Sequence, residues 1–129
     1  VSIYSGVICE DDVFIGPSVV FTNIINPRSY INRRNQYIKT HISKGASIGA
    51  NATIICGNDI GAFALVGAGS VVTKNVKPYA LVVGNPSCQI GWVSEYGHRL
   101  EFNSKDVGIC KESKQEYRLK NSTVIKVKK

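Results

Sequence analysis

Ten positions spaced six residues apart constrain this chain more than any other feature. Val1, Val7, Val13 and Val19 form one series; Ile42, Ile48, Ile54, Ile60, Val66 and Val72 form a second. Four places after each of these stands a residue that is mostly small or turn-forming: Ser5, Asp11, Pro17, Ala46, Ala52, Asn58, Ala64 and Ser70. Gly often follows the aliphatic directly, as at Gly49, Gly61 and Gly67. A β-branched side chain at a fixed six-residue period suits a coil of short strands joined by sharp corners. Both aliphatic series are expected to point inward, with the small residues where the backbone turns tightly. The fold class is therefore all-β, a stack of repeats around one core.

The phase breaks once. Val19 and Ile42 are 23 residues apart, which is not a multiple of six, and the intervening FTNIINPRSYINRRNQYIKTH is rich in Asn, Pro and basic residues. Such residues belong to turns and surface, so about 23–41 reads as a loop extruded from the coil. Loops on rigid scaffolds tend to carry function. The coil domain is expected to cover 1–95, and a short C-terminal β extension 96–129, with YRLKN and STVIKVK forming a hairpin that caps the stack. The chain has no Met and starts in register with its repeat, so earlier coils are expected upstream of Val1.

Lys and Arg outnumber Asp and Glu by 16 to 9, for a formal charge of +7. The excess concentrates in the segment read as extruded and in the tail. No recognition motif accompanies it, so an anionic small molecule is a better partner than nucleic acid. Cys9, Cys56, Cys88 and Cys110 are widely separated and the chain has two His, which supports neither a disulfide framework nor a metal centre. Free thiols in a reducing cytoplasm are expected, with Cys9 and Cys56 partly buried. No apolar run is long enough to cross a bilayer.

Beyond the repeats, the stretches EDDVFIGPSVVFTN, NPRS, KGASIGANATIICG, GAGSVVTKNV and YALVVGNPSCQIGWVSEYGHRLEF carry a resemblance. The chain resembles the hexapeptide-repeat acyltransferases, and within them the sugar-nucleotide N-acetyltransferases. It is most similar to those acting on UDP-2-acetamido-3-amino-2,3-dideoxy-glucuronate for lipopolysaccharide and O-antigen synthesis. That resemblance implies a left-handed parallel β-helix, acetyl-CoA as co-substrate, no metal, a UDP-amino sugar acceptor, and a homotrimer with active sites between subunits. The left hand comes from the resemblance alone.

An acetyl thioester is already activated, so its acceptor amine chiefly needs positioning and a place for the oxyanion. The resemblance places Asn23, at the FTN edge of the loop, beside the sugar amine. Arg28, Arg33 and Arg34 lie where a uronate carboxylate and a pyrophosphate would need guanidinium groups. Glu10 is a candidate contact to sugar or nucleotide. His41, which precedes an inward Ile42 and so points outward, is a candidate general base. Ala46, Ala64, Gly67 and Gly69 would let a pantetheine arm run close to the backbone, and Lys74 is placed like the family's lysine near CoA phosphates. His98 reads as structural. Two other readings stand beside this one: an acetyltransferase for a dTDP-3-amino-3,6-dideoxyhexose, which needs no uronate-binding arginine, and a non-catalytic β-helix module.

Overall fold

The computed structural model describes residues 6–32 and 38–128. Its short strands run in chain order as β1 (Val7–Cys9), β2 (Phe14–Ile15), β3 (Val20–Phe21), β4 (Thr40–Ile42), β5 (Ser47–Ile48), β6 (Thr53–Ile54), β7 (Leu65–Val66), β8 (Val71–Val72) and β9 (Ala80–Val83). They fall in rotation onto three faces. The first face pairs β1 with β4 and continues through the bridges Ile42 to Ile60 and Ile60 to Val76. The second runs β2, β5, β7, β9, and the third β3, β6, β8, every one of these pairs parallel. Each turn of chain thus lays one strand or bridge on each face, a three-sided form of the coil of short strands and sharp corners expected from the period.

Within a strand, residues two apart share a face, so each side of the coil can send two side chains inward. Ile48, Ile54, Ile60, Val66 and Val72 fill one inward position, and Ala46, Ala52 and Ala64 fill the one before it; all are buried. The first coil is built differently, and here the reading from sequence is corrected. Phe14 and Ile15 pair with Ser47 and Ile48, and Val20 and Phe21 with Thr53 and Ile54. Ile15 and Phe21, not Val13 and Val19, are therefore the equivalents of Ile48 and Ile54. The valines stand where later coils place alanine. Val7 pairs with Thr40 in the same manner. The two aliphatic series thus occupy different inward slots, two residues out of step. Val1 and Ser5, which head the first series and its corners, lie outside the described residues.

The corners repeat as strictly as the strands. Asp12, Gly45, Phe63 and Tyr79 stack at the first corner, and Ser18, Asn51 and Gly69 at the second, all with positive φ. At Gly45 two constraints meet: φ is +73°, and an added Cβ would lie 2.2 Å from a Phe63 ring atom. The Phe63 ring stacks on Tyr79 at 5.6 Å, and Tyr79 meets Tyr117 edge-on at 5.4 Å. A column of rings thus climbs the first corner.

The Gly that follows an inward aliphatic has a steric reason. At Gly61, an added Cβ would lie 2.4 Å from Pro78 N and 2.7 Å from Lys77 C in the next coil. Those are backbone atoms of a parallel ladder and cannot swing aside. Gly61→Ala is expected to cost about 1–3 kcal/mol of stability through overpacking, read as a lowered denaturation midpoint.

Between β3 and β4 the register jumps. Phe14 pairs with Ser47, 33 residues on, whereas Ser47 pairs with Leu65, 18 on. The surplus falls in the Asn- and Arg-rich segment, which forms no strand among its described residues. Its root closes where Ile38 N–H donates to Asn23 O at 2.9 Å. The segment ends sooner than position 41, because Thr40 and His41 already belong to β4.

Above the coil, β10 (Cys88–Trp92) folds back antiparallel on β9, and β11 (Val107–Ile109), β12 (Glu116–Lys120) and β13 (Thr123–Lys128) form an antiparallel sheet. The hairpin read over YRLKN and STVIKVK is β12–β13, turning at Asn121 and Ser122, both with positive φ. β11 is a third strand that the weak alternation of VGI did not announce. This sheet has its own small core of Leu100, Cys110, Tyr117 and Val124, with Tyr79 and Trp92 packed between it and the coil. Glu95 fastens the junction, accepting from Tyr79 Oη at 2.9 Å and pairing with Lys126 at 3.1 Å. Burial first, and the Glu95 carboxylate second, push the Tyr79 phenol far above its ordinary range, so it stays a neutral donor.

Candidate active site

The outer surface of the first face gathers a row of polar side chains. Strand alternation buries Ile42 and turns His41 outward, as expected for a residue preceding an inward aliphatic. The bridges from Ile42 to Ile60 and Val76 set His41, Asp59 and Asn75 in one row across successive coils. Hydrogen bonds run up that row. Asp59 Oδ1 accepts from His41 N–H at 3.0 Å, and Asn75 Oδ1 accepts from Asp59 N–H at 2.8 Å.

Glu10 joins this row from the first coil. Its Oε2 is hydrogen-bonded to His41 Nε2, and its Oε1 accepts from Lys44 N–H at 3.0 Å. The two side chains are 40% and 44% exposed, open to solvent and to a reactant. The His41 hydrogen bond first, and the Lys44 amide second, hold the Glu10 carboxyl below its usual range. An ionised carboxylate only accepts, so in the neutral imidazole this pairing places the proton on Nε2 and leaves Nδ1 as the proton acceptor. Among the described residues Nδ1 has no hydrogen-bond partner. An outward imidazole oriented by a carboxylate is the arrangement of a general base.

The sign of the Glu10 shift makes a prediction. Because its pKa is lowered in the folded chain, the pairing contributes above the ordinary glutamate range and is lost as pH falls through the lowered value. A carboxyl NMR titration should find Glu10 below the usual value of about 4.3. His41→Ala should move it back up.

Asn23 stands at the root of the loop segment. It is half-buried and lines a cavity of about 420 Å³ together with Ile24, Ile25, Pro27 and Ile55. Ile38, bonded to Asn23, precedes His41 by three residues, roughly 10 Å of extended chain. Arg28 is exposed, and its Nη1 donates to the carbonyl of Pro27 at 3.3 Å. Arg33 and Arg34 lie outside the described residues.

The residues considered for CoA are not gathered on one chain. Ala46 and Ala64 are buried at the first corner, with their carbonyls accepting from Phe14 N–H and Ser47 N–H. Gly67 and Gly69 sit at the second corner; the amide of Gly67 donates to Val82 O, and an added Cβ on Gly69 would meet open space. Lys74 sits at the third corner, lining a cavity of about 330 Å³ with Asn75, Ser87 and Gln89. Six-residue spacing places a small residue at every corner and does not choose among corners.

Asp59 and Asn75 were not singled out from sequence. Each precedes an inward aliphatic, Ile60 or Val76, as His41 precedes Ile42, and that shared position was the signal. All four cysteines are free; Cys56 and Cys110 are buried, whereas Cys9, expected partly buried, is exposed. His98 pairs with Glu112 at 2.6 Å, both outside the strands of the C-terminal sheet. Among the described residues no cluster of three or more His, Cys, Asp or Glu is placed to hold a metal ion, and no helix is long and apolar enough to cross a membrane.

No family model matches the chain. A curated relative from Aneurinibacillus thermoaerophilus, dTDP-3-amino-3,6-dideoxy-alpha-D-galactopyranose 3-N-acetyltransferase, is 52% identical over 64 residues, 50% of this chain and 33% of the relative. The chain thus spans about a third of that enzyme's length. A hexapeptide-repeat-containing acetyltransferase from Vibrio cholerae, complexed with acetyl coenzyme A, superposes with a TM-score of 0.53 at 28% identity. That match covers 69% of this chain and 55% of the other. A variant of AntD, an N-acyltransferase from Bacillus cereus, complexed with dTDP-4-amino-4,6-dideoxyglucose and coenzyme A, gives a TM-score of 0.59 at 25% identity. Here 69% of this chain and 53% of the other are covered. Hexad spacing, three parallel ladders and these relatives agree: the chain is a hexapeptide-repeat protein whose homologues are acetyltransferases.

Proposed function

We propose that this chain belongs to an acetyl-CoA-dependent N-acetyltransferase whose acceptor is the amine of a nucleotide-linked amino sugar. The observation that carries the proposal is the outward His41 imidazole held by Glu10 on the first face. In the reaction the sugar amine nitrogen attacks the thioester carbonyl carbon. Its proton passes to His41 Nδ1, the C–S bond breaks, and the departing CoA sulfur takes up the proton. Asn23 would orient the amine or the ring from the root of the loop segment.

Between the two acceptors suggested by the sequence, the dTDP-3-amino-3,6-dideoxyhexose is favoured over the UDP-linked uronate. The relative at 52% identity carries the former in its name. Arg28, the described candidate for a uronate contact, spends a donor on its own neighbour's carbonyl. A left-handed winding and a homotrimer with sites between subunits belong to the same proposal. The scatter of Ala46, Gly67 and Lys74 over three corners suits a site closed by two copies. A cytoplasmic setting and a role in surface-polysaccharide synthesis complete it.

The test is an assay of free-thiol release by the intact protein with acetyl-CoA and each sugar nucleotide. Turnover of the dTDP sugar above the UDP uronate is expected. If neither sugar releases thiol and calorimetry finds no CoA binding, the non-catalytic β-helix module replaces this reading.

A further inference from the structure

The cavity beside Asn23 is unlike the rest of the candidate site. His41, Asp59, Asn75 and Glu10 present charge and hydrogen-bonding groups, but Ile24, Ile25, Pro27 and Ile55 present hydrocarbon. Ile25 is 66% exposed, a large apolar surface left in water at the mouth of a concave space. No charged side chain lines that cavity among the described residues. Its polar side chains are the Thr22 hydroxyl and the Asn23 amide, and the hydroxyl is already accepting from Cys56 N–H at 2.9 Å.

A wall of aliphatic groups, with one amide that has no side-chain partner among the described residues, recognises a ligand that is apolar on one side and hydrogen-bonding beside it. We infer that this cavity is the subsite for the deoxygenated carbon of the acceptor, reading the C6 methyl of a 6-deoxyhexose while Asn23 holds a neighbouring polar substituent. The inference rests on the acetyltransferase reading above and adds a physical basis for choosing among its acceptors. A C6 carboxylate entering here would lose its hydration with no described cation to replace it. A C6 hydroxyl would lose its hydration more cheaply. A methyl group loses none, and it covers the exposed face of Ile25.

The experiment compares dTDP-3-amino-3,6-dideoxyhexose with its 6-hydroxy counterpart in the intact protein and in Ile25→Asn, whose exposed position leaves the fold intact. The wild type should favour the 6-deoxy sugar roughly 10–100-fold in kcat/KM, the discrimination an apolar pocket achieves against an added hydroxyl. Ile25→Asn should cut that ratio by about tenfold and leave the KM for acetyl-CoA unchanged. Equal kcat/KM for the two sugars in the wild type, or an unaltered ratio in the variant, overturns the subsite. Calorimetry with the two sugar nucleotides separates this inference from the catalytic one. Absence of turnover with a tighter Kd for the 6-deoxy sugar keeps the subsite and refutes the acetyltransfer; equal Kd values refute the subsite whatever the turnover.

Discussion

Replacing His41 by alanine should lower kcat roughly 10²–10⁴-fold, the range over which a positioned general base contributes. The KM for acetyl-CoA should hardly move, because in the proposed reaction the imidazole acts on the amine proton and makes no contact with CoA. The residual rate should climb with pH. A sugar amine resembling an α-amino group, with a pKa of about 8, supplies more free base as the medium becomes alkaline. Glu10→Gln should fall between wild type and His41→Ala, since a glutamine Oε1 can still accept from Nε2 but carries no charge to stabilise the imidazolium. If His41→Ala stays within about twofold of wild type, the base assignment fails and catalysis must rest on positioning alone.

Tyr117→Ala should cost about 3–5 kcal/mol, the usual range for removing a large buried aromatic ring. Tyr117 is fully buried, the largest side chain in the core of the C-terminal sheet, and its ring ends the column begun by Phe63 and Tyr79. Its hydroxyl accepts from Glu95 N–H at 2.9 Å and donates to Gln115 Oε1 at 2.8 Å, so truncation also strands a backbone amide. Tyr117→Phe isolates that part and should cost about 1–2 kcal/mol. Urea unfolding followed at Trp92, which packs against both cores, reports the loss. A truncation that leaves the midpoint unchanged would mean the sheet is not coupled to the coil through this ring.

Much of the coil could be read from sequence because its period is a direct record of chain geometry. The second aliphatic series, Ile42 to Val72, is buried along its whole length. The first series misled because six-residue spacing is compatible with either of two inward positions, and only the pairing of Ile15 with Ile48 distinguishes them. The same limit hid the contact between Glu10 and His41, which are 31 residues apart. Their meeting depends on the surplus chain between β3 and β4, and no periodicity reports how much chain a loop absorbs before the ladder resumes. His41 itself was legible, since the residue before an inward Ile must face out. The apolar cavity beside Asn23 was not, because which aliphatic groups of the loop root fold together is decided by tertiary contact and not by spacing.

The aromatic column at the first corner has a mechanical consequence. Its members come from successive levels of the molecule, spaced by one parallel-strand separation of about 4.8 Å. Added windings of eighteen residues would lift the terminal sheet in those increments and keep its orientation. Glu10 and His41, seated just past β1 and on β4 away from the terminal sheet, would feel nothing. In such a design reach and reactivity can be altered independently.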